Sequence, residues 1–277
     1  MPLLASFAKL NLSLFVYRAR SDGYHPICSV FQLISLHDDL TIEHIAEKKL
    51  VITSSREDVP TGPGNIITKA YLAFEAQLSH GLSVHIQKRI PIGGGLGGGS
   101  SNAAVLLTYL NGIVPSPFSP QRLIGIAKKI GADVPFFLHG GTMLVRGIGE
   151  KLRPIAPGEY RYFILINPNL TVHTGPVFKA FDQSPAAKKR AGRTPVTLLT
   201  EQLGENSLKD PLFSLYPIFG QIEQKVRDLG QSLYLSGSGA TVFISFKARE
   251  ARDRFLSSIQ SVFPDYEVMA ADAVGGF

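Results

Sequence analysis

Hydrophobic and polar residues alternate strictly near the start of the chain. Over residues 7–17 one side of the pattern is apolar, and the other side carries Lys9, Asn11 and Ser13. A period of two residues predicts a β-strand with one buried face. Solvent is the ordinary neighbour of such a polar face. A strand that lines a site would show the same pattern, so this segment alone leaves both readings open.

The same reading of the rest of the chain predicts a mixed α+β protein. An Asp22-Gly23 turn predicts a hairpin between residues 18 and 26. Further strands are expected at 27–36, 39–45, 82–90, 141–146, 160–166, 234–235, 241–246 and 266–274. Apolar spacing of three and four residues predicts helices at 66–78, 100–111, 119–130, 211–229 and 247–260, with another that starts at Thr174.

Short polar residues stand at the predicted starts of four helices. They are Asn65, Ser119, Asp133 and Thr174. Ser, Thr, Asp and Asn are the preferred N-cap residues because their side-chain oxygens accept hydrogen bonds from free amide groups of the first turn. From the residues alone, capping is therefore the ordinary interpretation of each.

Composition narrows the class of protein. The chain has 277 residues, 44% hydrophobic and 18% charged, which suits one large folded domain or two moderate ones. No apolar run reaches the length of a membrane span. The first residues lack the pattern of a targeting segment, which predicts a cytoplasmic protein. The single cysteine, Cys28, excludes an internal disulfide and predicts a small buried side chain.

The net charge of +6 suits an anionic small molecule, but it would also suit RNA. No basic stripe with interleaved aromatic residues is visible, so a nucleic-acid partner is not predicted. The densest basic cluster comprises Lys188, Lys189, Arg190 and Arg193. It lies among small and polar residues at 184–195 and is predicted to be a solvated loop.

The most unusual segment is residues 91–104, Pro-Ile-Gly-Gly-Gly-Leu-Gly-Gly-Gly-Ser-Ser-Asn-Ala-Ala. A glycine loop that opens into a helix presents free amide groups and the positive end of a helix dipole, which is an anion site. A P-loop is excluded because no lysine follows the glycines. The dinucleotide fingerprint lacks its acidic residue about twenty positions on. A flexible hinge is disfavoured because the run leads directly into a helix start.

This segment resembles the phosphate loop of the GHMP kinases, which phosphorylate small alcohols. Its longer form is similar to that of the branch that acts on a cytidine diphosphate-linked alcohol in the non-mevalonate isoprenoid pathway. Four further segments resemble motifs of the same family in the same order: 8–12, 22–25, 131–135 and 236–240. The resemblance therefore extends over nearly the whole chain.

The resemblance implies a fold that periodicity cannot give. The GHMP kinase fold has two α+β domains with the reaction cleft between them. It implies an ATP-binding domain over residues 1–150, similar to ribosomal protein S5 domain 2, and a ferredoxin-like domain over 151–277. The pattern of the last hundred residues, which includes strand, loop, strand, helix and strand, is compatible with a ferredoxin-like half.

The resemblance also implies roles for individual residues. Asp133 would accept the hydroxyl proton, and Lys9 would neutralise the transferred phosphoryl group and keep Asp133 ionised. The residues implied to bind ATP are Asn65, Pro91, Ile92, Gly93, Gly94, Gly95, Leu96, Gly97, Gly98, Gly99, Ser100 and Ser101. Those implied to bind the cytidine diphosphate-linked substrate are Asn11, Tyr24, His25, Phe31, Thr174 and Phe178.

ATP implies Mg²⁺ as a second cofactor. The motifs contain no acidic metal ligand, so its shell would be mostly phosphate and water, with a Ser100 or Ser101 hydroxyl as a candidate protein ligand. No metal site built from protein side chains is predicted, nor is a membrane partner.

Three other functions fit parts of the sequence. A homoserine or mevalonate type of GHMP kinase would need no cytidine site, whereas the Asp22-Gly23-Tyr24-His25 segment suits one, although a Tyr-His pair alone is more often a surface pair. An RNA-binding protein would need the absent basic stripe. A nucleotide sensor without activity would not need both Lys9 and Asp133.

Overall fold

Two β-sheets organise the chain. The computed structural model describes residues 1–188 and 204–277. Within these residues the first sheet has six strands: β1 (Leu3–Val16), β2 (Ile27–Ile45), β3 (Leu50–Ser54), β4 (Gly81–Gln87), β5 (Thr142–Gly147) and β6 (Lys151–Pro154). The sheet thus continues to Pro154, four residues past the predicted boundary at 150. The sequence pattern did not predict β3 and β6.

The strand β2 is continuous, where the sequence predicted two strands at 27–36 and 39–45. It pairs with β1 along most of its length, and also with β5 through its first half and with β4 through its second half. The polar residue Asp38 does not break it, although its side chain is fully buried. Its carboxylate accepts hydrogen bonds from the Lys88 ammonium and from the amides of Arg89 and Ile90, which offset the cost of burial.

Helices cover one side of this sheet. They are α1 (Ile66–Leu72), a 3₁₀ turn (Glu75–Gln77), α2 (Gly98–Ile113), α3 (Pro120–Ile130) and α4 (Val134–His139). The predicted caps at Asn65 and Ser119 are confirmed, because their side chains accept hydrogen bonds from the amides of Ile67 and Arg122. Cys28 is buried, as predicted.

The second sheet has the strand order β10-β7-β9-β8, all antiparallel. Its strands are β7 (Tyr162–Asn167), β8 (Tyr234–Leu235), β9 (Val242–Phe246) and β10 (Glu267–Asp272). In chain order this is 4-1-3-2, the order of a ferredoxin-like sheet. The described helices beside it are α5 (Thr174–Gln183), a 3₁₀ turn (Pro185–Lys188), α6 (Lys209–Leu215), α7 (Ile218–Asp228) and α8 (Arg249–Val262).

Two sequence predictions in this half need comment. The helix predicted over 211–229 is broken into α6 and α7 at Tyr216, directly before Pro217, because proline disfavours helical backbone in the residue before it. The basic loop predicted at 184–195 falls largely outside the described residues, which include none of 189–203.

The apolar side of β1 joins the two sheets. Ala8, Leu10 and Leu12 pack in one buried cluster with Phe163 and Phe243 of the second sheet. The opposite side of β1, which carries Lys9, Asn11 and Ser13, is also buried. The polar face of this strand therefore does not face solvent; it faces the site described next. None of the helices in the described parts of the chain has the length and apolar content that a membrane span requires.

Candidate active site

The glycine run forms a loop between β4 and α2 in which alternate residues have left-handed backbone. Gly93, Gly95 and Gly97 have φ of 69°, 72° and 72°, a conformation that costs other residues about 1–2 kcal/mol. A Cβ atom at Gly95 would lie 2.5 Å from the carbonyl oxygen of Ser236, and one at Gly97 would lie 2.7 Å from the ring of Phe137. At these two positions glycine is required for two reasons: the backbone has a positive φ, and no room is left for a Cβ atom.

The carbonyl groups of this loop are held on one side. Those of residues 93 to 96 accept, in order, from the Ala240 amide, the Thr241 amide, the Ser236 hydroxyl and the Lys9 amide, at 3.3, 3.1, 3.2 and 2.9 Å. The loop is thereby fixed between β1 and residues 236–241. Directly after it, the first amides of α2 have no carbonyl partner within the helix. The arrangement presents backbone donors and the positive end of a helix, which favours an anion.

A cavity of about 390 Å³ lies against this loop. Its wall includes every residue from Pro91 to Ser100, together with Asn65 and Lys88. The side chain of Asn65 is already engaged, since it caps α1 and its amide donates to the Pro60 carbonyl at 2.7 Å. Ser101 does not line the cavity; it is buried, and its hydroxyl accepts a hydrogen bond from Ser6 at 2.8 Å. Of the two serines, only Ser100 lies on the wall.

Lys88 is a cavity residue that the sequence analysis missed. Its ammonium lies 2.7 Å from the carboxylate of Asp38 and about 3.0 Å from the position of a Cβ atom at Gly98. Burial lowers the pKa of Lys88, and the neighbouring Asp38 opposes this effect. The available signal was a lysine two residues before the end of the predicted strand 82–90, just ahead of the glycine loop, but nothing in the sequence pairs it with Asp38; in the structure it directly follows β4.

Lys9 lies at the centre of a second polar group. Its ammonium is 3.7 Å from a carboxylate oxygen of Asp133 and donates a short hydrogen bond to the side-chain oxygen of Asn11. It also lies 4.6 Å above the ring of Phe31. The Lys9 side chain is 5% exposed and that of Asp133 is 30% exposed. Burial lowers the pKa of Lys9, and the Asp133 carboxylate opposes this effect.

Asp133 stands at the N-cap position of α4 but does not cap it. No side-chain hydrogen bond joins Asp133 to the first turn of this helix. The carboxylate instead points toward Lys9, at a distance longer than a hydrogen bond. It is therefore ionisable, partly exposed and beside a buried cation, and it is free to accept a proton from a bound molecule.

A second cavity, of about 590 Å³, contains this group. It shares Gly95 and Gly97 with the wall of the first cavity. It brings together residues of both sheets: Lys9, Asn11, Tyr24, His25, Phe31, Asp133, Thr174, Phe178 and Ser238. All residues that the resemblance implied for catalysis and for substrate binding thus line one cavity.

The far end of this cavity is aromatic. Tyr24 is 60% exposed and follows the Asp22-Gly23 turn, whose predicted hairpin is confirmed. The ring of His25 lies 4.9 Å from that of Phe178. The sequence predicted that Thr174 caps α5, and this prediction is wrong: His173 occupies the cap position. The Thr174 hydroxyl lies 3.0 Å from that of Ser238. The side chain of Thr174 is drawn toward residues 236–240 and away from the helix.

Comparison with known proteins gives consistent results. Residues 65–141 match the model of the GHMP kinase N-terminal domain. The chain is 37% identical over 262 residues to 4-diphosphocytidyl-2-C-methyl-D-erythritol kinase of Alkaliphilus oremlandii, covering 89% of this chain and 88% of the relative. A crystal structure of 4-(cytidine 5'-diphospho)-2C-methyl-D-erythritol kinase superposes with a TM-score of 0.80 at 30% identity, covering 99% of this chain and all of the other. A mevalonate kinase superposes at 0.72 with 13% identity over 99% of this chain and 100% of that one, which is a likeness of fold alone.

Proposed function

The chain belongs to the 4-diphosphocytidyl-2-C-methyl-D-erythritol kinases, a branch of the GHMP kinases, and we propose that it transfers a phosphoryl group from ATP to the 2-hydroxyl of that cytidine diphosphate-linked alcohol. The reaction belongs to the non-mevalonate pathway of isoprenoid precursors. The α+β fold of the chain is that of the family.

One observation carries the assignment of the reacting centre. The two cavities share Gly95 and Gly97, so a nucleotide in the first and an alcohol in the second would meet at the glycine loop. Lys9 and Asp133 lie on the wall of the second cavity. Phosphoryl transfer depends mainly on positioning and charge neutralisation, and this junction supplies both.

In the proposed mechanism Asp133 accepts the proton of the attacking hydroxyl. Its carboxylate is not used by α4 and lies 3.7 Å from the Lys9 ammonium. Asn11 and Phe31 hold the Lys9 ammonium from two sides. The same ammonium would offset negative charge on the transferred phosphoryl group. Opposite charges a few ångströms apart attract strongly in a site that is shielded from water.

The glycine loop would hold the phosphates of ATP through its backbone amides and the start of α2. Lys88 would add a positive charge at the edge of the same cavity. Mg²⁺ would be held largely by phosphate and water, with the Ser100 hydroxyl, which lies on the wall of the first cavity, as protein ligand. When bound, the ion would offset phosphate charge.

The first experiment measures phosphoryl transfer from ATP with Mg²⁺ to the cytidylated methylerythritol, with methylerythritol phosphate, homoserine and mevalonate as parallel acceptors. Transfer to the cytidylated alcohol alone supports both the reaction and the aromatic end of the second cavity. Transfer to homoserine or mevalonate would keep the kinase and reject the cytidine site. ATP binding without transfer to any acceptor would reject the roles of Lys9 and Asp133.

Phosphoryl transfer should begin to slow at a pH below the pKa of an ordinary lysine. Burial lowers the pKa of Lys9 below 10.5, and the charged ammonium exists below that pKa. We therefore expect kcat/KM, which reports groups of the free enzyme, to be highest below it and to decline as pH rises through it. The measurement is kcat/KM for the alcohol from pH 6 to 10. Arginine stays charged over this range, so the activity that remains in Lys9→Arg should not decline with rising pH. If that activity declines as in the parent protein, the titrating group is not Lys9.

Replacing Lys88 by Met should weaken both folding and ATP binding. Removing one partner of a buried ion pair costs about 3–5 kcal/mol, because Asp38 would remain buried without its countercharge. The KM for ATP should rise by about tenfold, the value of one charged hydrogen bond of roughly 1.4 kcal/mol. Thermal unfolding and ATP kinetics measure the two effects separately.

The double variant Asp38→Asn with Lys88→Met separates the two effects. It removes the uncompensated carboxylate, so most of the lost stability should return, while the KM for ATP should stay high. A double variant with the parent KM would show that Lys88 acts only on folding.

A further inference from the structure

One side of helix α5 surrounds the ring of His25. A carboxylate oxygen of Asp182 lies 2.8 Å from Nε2 of His25. The ring centres of Phe178 and Phe181 lie 4.9 and 6.0 Å from the centre of the imidazole. Residues 178, 181 and 182 are three and four positions apart, so they share one face of the helix. His25 belongs to the β1–β2 hairpin, so a helix beside the second sheet fixes a residue of the first.

The contact with Asp182 determines which ring nitrogen of His25 carries the proton. An ionised carboxylate can only accept hydrogen bonds, so Nε2 must be the donor in this pair. In the neutral imidazole the other nitrogen, Nδ1, is then an acceptor. With Nε2 donating to Asp182, Nδ1 is the ring nitrogen left for a molecule in the second cavity, and in the neutral ring it would act as an acceptor.

This polarity distinguishes two bases. Cytosine carries an amino group at carbon 4, which donates, and uracil carries a carbonyl there, which accepts. We propose that Asp182 is a positioning residue that orients His25 and sets its ring as an acceptor, and that it thereby makes the site select an amino-bearing base over uracil. The proposal rests on the proposed function, because it requires a pyrimidine nucleotide in this cavity.

Asp182 is placed to act through His25 and not on the substrate. It is absent from the wall of the cavity, whereas His25, Tyr24 and Phe178 line it. The His25 side chain is 11% exposed and that of Asp182 is 45% exposed, so the carboxylate lies on the solvent side of the ring. The two aromatic rings of α5 pack against the imidazole, and the carboxylate sets Nε2 as the donating nitrogen.

The test compares two substrates, the alcohol linked to cytidine diphosphate and the same alcohol linked to uridine diphosphate. In Asp182→Asn the amide can either accept from Nε2 or donate to it, so both ring forms become available. We expect kcat/KM for the cytidine substrate to fall about tenfold, as for the loss of one charged hydrogen bond, and its ratio to the uridine substrate to narrow by at least that factor. Asp182→Ala should narrow the ratio as well.

The matched control is Asp265→Asn, an exposed carboxylate outside both cavities, which should leave the ratio at the parent value. A purely structural role for Asp182 would lower activity on both substrates and preserve their ratio, and that outcome would overturn the proposal. Should the unmodified protein fail to phosphorylate the cytidine substrate, the proposed function fails instead. The kinetics of ATP and the unfolding temperature of each variant show whether the first cavity and the fold are intact.

Discussion

Replacing Asp133 by Asn is expected to lower kcat by roughly 10²–10⁴-fold, the usual contribution of a general base. Asn has the same shape but does not take up the hydroxyl proton. The fold should survive, because the Asp133 side chain does not cap α4 and is 30% exposed, and because Asn11 still accepts a hydrogen bond from the buried Lys9 ammonium. The measurement is the rate of phosphoryl transfer at saturating ATP and alcohol, together with thermal unfolding of both proteins.

The kinetics of ATP separate this prediction from a general disturbance of the site. The glycine loop is held by β1 and by residues 236–241, not by Asp133, so the KM for ATP should change by no more than a few-fold. A variant that turns over at the parent rate would remove Asp133 from the mechanism. A variant with weakened ATP binding would place its effect in the first cavity.

The sequence predicted the elements around the site better than the state of its polar residues. The alternation of apolar and polar residues identified β1. It could not show whether Lys9 and Asn11 face solvent or line a functional site. That decision depends on what packs against the strand, and the packing residues, such as Ser236, are more than two hundred positions away. Family resemblance supplied the answer that periodicity could not.

A buried charged residue explains a second difference between the predicted strands and the observed ones. The sequence predicted separate strands at 27–36 and 39–45, whereas β2 runs unbroken through Asp38, a carboxylate that would be costly to bury alone. The structure buries it because Lys88 and two backbone amides converge on it. These donors lie about fifty residues further along the chain, and local sequence rules do not describe such a convergence. The same limit applies to His25 and Asp182, which are joined across the two sheets.

Helix caps show where local rules succeed and where they are overridden. Asn65 and Ser119 cap as predicted, because nothing else competes for their oxygens at the start of each helix. Asp133 holds the cap position of α4 and Thr174 is the first residue of α5, but neither side chain caps its helix, and both residues line the second cavity. Of the four helix starts at which the sequence predicted a cap, the two that lack it are therefore the two that border the proposed substrate site.

Replacing Gly95 by Ala should lower kcat/KM for ATP by about 10²-fold, because a displacement of about 1 Å at a reacting centre has that effect. The added Cβ would lie 2.5 Å from the Ser236 carbonyl oxygen, so the loop and residues 236–240 could not keep their present contact. The left-handed φ of 72° adds about 1–2 kcal/mol of strain. Initial rates at varied ATP concentration measure the loss.

Gly99→Ala is the matched control from the same loop. A Cβ atom there would meet only Ile66, at an ordinary distance of 3.5 Å, and Gly99 has helical backbone without positive φ. Alanine should therefore preserve kcat/KM and stabilise α2 by up to about 1 kcal/mol, seen as a higher unfolding temperature. Equal losses in both variants would mean that the whole glycine run must stay free of side chains to admit the nucleotide. A loss confined to Gly95→Ala would mean that the loop is shaped by its contact with residues 236–240.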